Sequence, residues 1–313
     1  MNQESAPRGY TGAMRESDRV FAAIETGGSK ILARILDADG AALAAGRWPT
    51  TTPERALGDL GDFIAGAIPA GRTLGAIGIA AFGPLVRDAR AGDYGRILTT
   101  PKPGWSGANL RAQLAARFAV PVAIDTDVNA AARAEWRQGA GQGVRSLAYV
   151  TVGTGIGAGL LVAGRPLAGA LHPEIGHIRL VRRDGDRAPS ACPFHADCAE
   201  GLASGPAIAR RLEAPRALGD DPAVLALVAA YLGELAATLV LCWSPERIVW
   251  GGGVMGTAGL IARVYEALGR SLAGYGVGEA AARGDFCVPA ALEHAGLEGA
   301  ALMARLEAAP AVS

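Results

Sequence analysis

The stretches "ETGGSK" (Glu25–Lys30) and "VGTGIGAG" (Val152–Gly159) each join one apolar run to the next: "VFAAIET" to "ILARILDADG", and "RSLAYVTVG" to "IGAGLLVAG". A strand that reverses on glycine exposes consecutive backbone N–H groups with no side chain in the way, so a phosphate can approach them closely. Either turn alone is ordinary hairpin chemistry. Gly27 and Gly153 stand 126 residues apart, one domain's length, and two such turns facing each other would clamp a polyphosphate.

Outward from these turns the order of elements repeats. After the first come a strand at "AALAAGRW", a helix over about Pro53 to Ala67, a strand "LGAIGIAAFG" ending at Gly83, the loop "TTPKPGWSG", a helix near Ala108 to Phe118 and a strand "PVAIDTD". After the second the pattern predicts a third strand at "HIRLV" (His177–Val181), helices including the apolar Ala223–Trp243, and the strand "ERIVWGG". A helix near Gly259 to Leu272, a short strand "DFCVPA" and a last helix from about Leu297 complete it. Strands first, then strand and helix in alternation, twice over, indicate a duplicated α/β unit.

With 313 residues, half of them hydrophobic, the chain can bury a sizeable core. Lysine plus arginine and aspartate plus glutamate number 30 each, so no bulk charge draws it to nucleic acid or anionic lipid. Residues 1–18 are polar, lack the apolar core of a secretory signal, and read as a frayed extension. The run Ala223–Trp243 is long enough for a bilayer, but Glu234 inside it and the missing basic flank make it a buried helix. Four cysteines without a secretory signal point to the reducing cytoplasm, where clustered thiols are more often metal ligands than disulfide halves.

Two familiar nucleotide motifs are absent. A Walker loop needs Gly-Lys-Ser/Thr, and no Gly-Lys pair exists in the chain; a dinucleotide fingerprint from Gly153 and Gly155 would require glycine where Ala158 stands. What remains is phosphate held between two hairpins, with the Ser29 and Thr154 hydroxyls as extra donors and Glu25 placed to reach a magnesium-bound water. "WGGGVM" (Trp250–Met255) is a third glycine cluster, suited to close approach of a flat adenosine group or equally to a tight strand-to-helix connection. In "AIDTDVNAAARAEW", Asp127 stands where strand gives way to helix, and a carboxylate there can take the proton of a hydroxyl attacking a γ-phosphorus. Asp125 or Asp127 can instead cap the helix, with Asn129 helping. Asn109 and "LTTPKPGW" offer a lid and donors for a polyol.

"HPEIGHIRLVRRDGDRAPSACPFHADC" (His172–Cys198) holds three of the four histidines and two of the four cysteines. His177, Cys192, His195 and Cys198 make a complete tetrahedral zinc set with no position left for water, which marks a structural metal. His172 is a weaker ligand because the set is already full. Such a clamp would fix the loop between Glu174 and Glu200 and hold both carboxylates at one pocket.

These motifs together resemble the ROK family (repressor, open reading frame, kinase) from about Phe21 to Ala308, and within it the zinc-containing bacterial fructokinases. "IETGGSK" is similar to the family's first phosphate motif, with Ser29 for the more usual threonine. "TVGTGIGAG" is similar to the second, "WGGGV" to the adenosine motif, and "DTDVNAAARAEW" to the catalytic-aspartate segment. "HPEIGH" followed by "CPFHADCAEGLASGPAI" resembles the fructokinase branch, whereas the glucokinase and repressor branches carry three cysteines in another arrangement.

The resemblance implies an α/β, two-lobe actin-like ATPase (ribonuclease-H-like) fold, with duplicated βββαβαβα units around an interlobe cleft. The lobes would be 20–125, joined by the helix at about 297–309, and 126–296, with 1–19 outside both. It implies ATP with magnesium, a structural zinc, and transfer to the 6-hydroxyl of fructose by a cytoplasmic enzyme, with mannose or glucose as the next substrates. Asp127 would be the base and Gly83, Glu174 and Glu200 the sugar contacts. Glu25, Gly27, Gly28, Ser29, Lys30, Thr154, Gly155, Gly157, Gly251, Gly252 and Gly253 would hold the nucleotide, and the family often forms homodimers. The rival reading, a sugar-sensing regulator, would need a helix-turn-helix domain that the short polar start leaves no room for.

Overall fold

The computed structural model describes residues 16–212, 216–275 and 278–308, so residues 1–15 of the expected extension lie outside the described residues. In the first lobe β1 (Arg19–Thr26), β2 (Lys30–Leu36) and β3 (Ala42–Pro49) form an antiparallel meander. Then follow α1 (Pro53–Ala67), β4 (Thr73–Ala81), α2 (Leu110–Phe118), β5 (Val122–Thr126) and, on the next residue, α3 (Asp127–Gln138). β4 runs parallel to β1 and β5 parallel to β4, giving the order β3-β2-β1-β4-β5.

The second lobe repeats this connectivity. Its elements are β6 (Ser146–Val152), β7 (Ile156–Val162), β8 (Arg165–Pro166), α4 (Ala199–Ala203), α5 (Gly205–Ala209), α6 (Pro222–Trp243), β9 (Arg247–Gly251), α7 (Leu260–Leu272), α8 (Gly278–Ala281) and β10 (Cys287–Pro289), after which α9 (Ala295–Ala308) returns to the first lobe's sheet. The sheet order is β10-β9-β6-β7-β8, with β6 and β7 in the places of β1 and β2. The two glycine turns are therefore equivalent hairpins.

One expectation fails: "HIRLV" is not the third strand. β8 takes that place through a tight reversal at Ala163 and Gly164, both at positive φ, and stops at once because Pro166 has no N–H to extend the ladder. The His177–Val181 segment spends its backbone on the cysteine loop instead. Leu180 N–H donates to Asp197 O (2.8 Å) and Ala199 N–H to Ile178 O (2.9 Å), around a single bridge between Arg179 and Cys198.

β1 is buried on both faces, which is why it reads as a continuous apolar run. Val20, Ala22 and Ile24 pack with Ala56, Leu60 and Ile64 of α1, while Ala23 faces Leu297, Ala300 and Met303 of α9. α1 begins on Pro53 with Thr52 as its cap, and Leu60 and Ile64, both 0% exposed, each contribute about 1.5–3 kcal/mol of apolar burial. α9 packs on β1 and β4, α3 packs on β6 and β7, and α3 and α9 cross against each other between the lobes. The crossing is close because Gly299 carries no Cβ, which would lie 1.9 Å from Ala130 O.

α6 is the one described helix long and apolar enough to cross a bilayer, yet 61% of its most apolar window is buried in the fold. Its polar intruder has a structural job: Glu234 pairs with Arg183 at 2.7 Å and accepts from Val181 N–H at 2.8 Å, tying down the segment that leads to the cysteine loop.

Candidate active site

Between the lobes, at the carboxyl ends of the central strands, lies a cleft of about 530 Å³. Glu25 and Lys30 of the first hairpin, Asp127 at the head of α3, Gly251–Gly253 after β9 and the Pro289–Gly296 segment line it. The two glycine turns meet beside it: a Cβ on Gly28 would sit 3.4 Å from Thr154 Cβ. Each turn is closed by its own backbone, Gly27 N–H to Lys30 O at 2.8 Å and Gly153 N–H to Gly155 O at 2.9 Å. Thr50 holds the first from behind, its hydroxyl on Gly27 O (2.8 Å) and its N–H on Ser29 O (3.0 Å). Gly157 lies one step away, inside β7 opposite Thr151, where its bare Cα makes room for Val128.

Gly252 has φ +87°, and a Cβ there would lie 2.3 Å from Val152 O, so only glycine fits. Gly251 admits the Tyr149 hydroxyl in the same way, whereas Gly253 faces open space.

Asp127 is not the helix cap. Thr126 fills that role through Asn129 N–H (3.2 Å), and Asp127 Oδ1 accepts from the adjacent Val128 N–H (2.9 Å). Burial and then Glu25 push the Asp127 carboxyl up to about 7, against the pull of Val128 N–H and Lys102. A carboxyl poised there is matched to proton transfer near neutral pH. Asp125, two residues earlier, is consumed by structure. Arg87 grips both its oxygens (2.6 and 3.1 Å) and Asn129 Nδ2 donates to it at 2.8 Å.

Glu25 is raised above the ordinary carboxylate range by burial, and its Oε2 is a buried oxygen without a hydrogen-bond partner. An orphaned acceptor beside the first glycine turn fits a cation or its bound water.

Gly83, Glu174 and His172 converge from different lobes. A Cβ on Gly83 would lie 2.9 Å from His172 Cε1 and 3.4 Å from Glu174 Oε1. Leu85 N–H donates to His172 Nε2 at 3.1 Å, which leaves the ring proton on Nδ1, 3.4 Å from Glu174 Oε1. His172 is thus a neutral, buried orienter of Glu174, outside the metal set. The Glu174 side chain is 43% exposed, and desolvation followed by Asp127 and Glu200 raises its carboxyl to about 7. Glu200 lies at the second glycine turn, one oxygen accepting from Ile156 N–H (3.0 Å). Asn109 caps α2 through Ala112 N–H (2.9 Å) and donates to Tyr94 O (3.1 Å), so its side chain is engaged by the fold.

His177, Cys192, His195 and Cys198 bring one donor atom each within 4.8 Å of one another. Sulfur-to-imidazole separations are 3.6, 3.7 and 3.8 Å. Zinc bonds of about 2.3 Å to sulfur and 2.05 Å to nitrogen at a tetrahedral angle put such donors about 3.6 Å apart. Phe194 N–H (3.4 Å) and Gly201 N–H (3.3 Å) each donate to a sulfur, as suits thiolates, and no disulfide forms. Cys198 is the N-cap of α4, so the cluster fixes the helix that carries Glu200.

Two residues of the site escaped the sequence. Lys102, from the "TTPKPGW" loop, has its Nζ 3.4 Å from the Gly28 Cβ position, in the field of Asp127 and Glu200. Its one sequence signal is rarity, as Lys30 is the only other lysine. Glu135, fully buried near the end of α3, accepts from Ala140 N–H (2.7 Å), Ala291 N–H (3.2 Å) and Leu292 N–H (2.9 Å). It thereby fixes the Pro289–Gly296 segment that walls one side of the cleft.

Residues 21–307 match the ROK family. The chain is 43% identical over 258 residues to the fructokinase of Zymomonas mobilis subsp. mobilis, covering 80% of this chain and 85% of that protein. Among solved structures, the ROK hexokinase of Thermus thermophilus superposes with a TM-score of 0.73 at 33% identity, over 92% of this chain and 98% of that one. A ROK glucokinase from Streptomyces griseus, in complex with glucose and AMPPNP, gives a TM-score of 0.74 at 28% identity, over 92% and 99%.

Proposed function

The chain belongs to the ROK family, and on that premise we propose that it transfers the γ-phosphoryl group of ATP to the 6-hydroxyl of D-fructose, giving fructose 6-phosphate and ADP. The observation that carries this reading is the meeting of two glycine hairpins, Gly28 against Thr154, beside a cleft that also receives the Asp127 carboxylate. Fructose is favoured over other hexoses because the 43%-identical relative is a fructokinase.

In this mechanism Gly27, Gly28, Ser29, Thr154 and Gly155 cradle the phosphates, and Lys30 and Gly251–Gly253 border the rest of the nucleotide. Glu174 and Glu200 accept hydrogen bonds from sugar hydroxyls, with Gly83 leaving room for the ring. Asp127 takes the proton of the attacking hydroxyl as the oxygen reaches phosphorus. Closure of the lobes excludes water that would otherwise hydrolyse ATP.

Glu25 would hold magnesium through water, and the ion would neutralise phosphate charge. His177, Cys192, His195 and Cys198 would hold a structural zinc, which would keep Glu174 and Glu200 in register. A cytoplasmic location would suit an ATP-using enzyme whose metal loop needs thiols.

The test is ADP release over a panel of hexoses ranked by kcat/KM. Fructose at the head of the panel is expected. Preference for glucose or mannose would move the substrate assignment, and no sugar-dependent ADP release would remove the function.

A further inference from the structure

Lys102 stands at the two glycine turns, and among the described residues its ammonium enters no ion pair and no side-chain hydrogen bond. What surrounds it is a set of anchors. Nζ lies 4.3 Å from the centroid of the Phe82 ring, which supports a cation on its face. The loop that carries it is pinned three residues on by Trp105, which is 1% exposed and whose Nε1 donates to Thr51 O at 2.7 Å. From that base the ammonium reaches the junction of the two phosphate turns, 3.4 Å from the Gly28 Cβ position, which is itself 3.4 Å from Thr154 Cβ. Burial there disfavours its charge, while Asp127 and Glu200 hold the charge in place without contact.

A partly desolvated cation fixed at a phosphate junction, with no anion of the protein in contact, is arranged for an anion that arrives with substrate. We propose that Lys102 is a catalytic residue that grips the phosphoryl group in transit, engaging its non-bridging oxygens as negative charge spreads over them. The proposal rests on the phosphotransfer reading above and names a residue that reading does not require. In the step, the bond from the γ-phosphorus to the β–γ bridging oxygen breaks and the bond to the acceptor oxygen forms. The acceptor's proton passes to Asp127, and Lys102 keeps all of its own.

The experiment compares wild type, Lys102→Met and Lys102→Arg in three measurements: sugar-dependent phosphotransfer, the slow hydrolysis of ATP without sugar, and the affinity for ADP. Methionine keeps the stem over Phe82 and removes the charge. Loss of one such donor costs about 10²–10³ in turnover. Lys102→Met is expected to lower both rates by that factor with ADP affinity within about twofold, and Lys102→Arg to recover at least about tenfold. Unchanged rates, or a raised sugar KM with kcat and hydrolysis intact, would overturn the proposal. A wild type active on no sugar would defeat the phosphotransfer reading, while the hydrolysis measurement would still judge Lys102.

Discussion

Replacing Asp127 with asparagine removes one ionisable group, keeps the side-chain shape and retains the acceptor for Val128 N–H, so its effects separate cleanly. As the proposed base it should cost at least about 10²-fold in kcat with sugar KM nearly unchanged. The same carboxylate carries a stability cost that can be worked out. Its pKa in the fold is about 7 against an ordinary value of 3.8, because burial and Glu25 oppose ionisation. A folded pKa above the unfolded one means that its contribution is intact below the unfolded value and is lost as pH rises through about 7. At about 1.4 kcal/mol per pKa unit the gap amounts to ~4 kcal/mol. Water in the open cleft reaches the residue, which roughly halves this to ~2 kcal/mol. Asp127→Asn should therefore be more stable than wild type by about 2 kcal/mol at pH 8, with the difference nearly gone at about pH 4. Urea unfolding of the nucleotide-free protein at several pH values measures it. Equal stability at pH 8, or a gap that does not vary with pH, would refute the account of Asp127 as a buried carboxylate poised near neutrality. Wild-type kcat/KM should also rise with pH along a limb near 7 as the base ionises.

Elemental analysis should find about one zinc per chain, and stripping it with a chelator should lower Tm and raise sugar KM while ADP affinity holds, because α4 and Glu200 lose their anchor. Gly252→Ala should lower Tm through the clash with Val152 O, whereas Gly253→Ala, with nothing within 4 Å, should leave Tm unchanged and raise only the ATP KM. Glu135→Ala strands three backbone donors and should cost about 3 kcal/mol in urea unfolding while raising the ATP KM, because Ala291 and Leu292 are freed at the cleft wall.

Local signals were legible where the chain solves its own problem within a few residues. Thr52 followed by Pro53 starts α1 in the expected place, and the run to Ala67 ends it. The His/Cys set assembles because three of its four members share one loop. Where the answer lies across the molecule, the pattern misled or was silent. The alternation in "HIRLV" is a sound strand signal, but its backbone bonds went to a loop held by Cys198 and not to a sheet. Asp125 and Asp127 cannot be told apart from "DTD". Arg87, 38 residues away, grips the first and leaves the second to the cleft. Lys102 belongs to a Pro/Gly loop whose place over the glycine turns depends on Trp105 reaching Thr51, 54 residues back.

That pattern has a physical cause that bears on the chemistry. A carboxylate can serve as a base only if the fold withholds from it the partners that would otherwise neutralise it, and a lysine can meet a phosphoryl group only if no acid of the protein has claimed it first. Asp125 and Asp127 are two residues apart with the same side chain, yet one is held by Arg87 and Asn129, while the other accepts from local backbone N–H and, among the described residues, enters no ion pair. Lys102 feels Asp127 and Glu200 but touches neither. The site is thus defined as much by ion pairs that do not form as by those that do. Sequence motifs record the groups. The distances that keep them apart are a property of the fold.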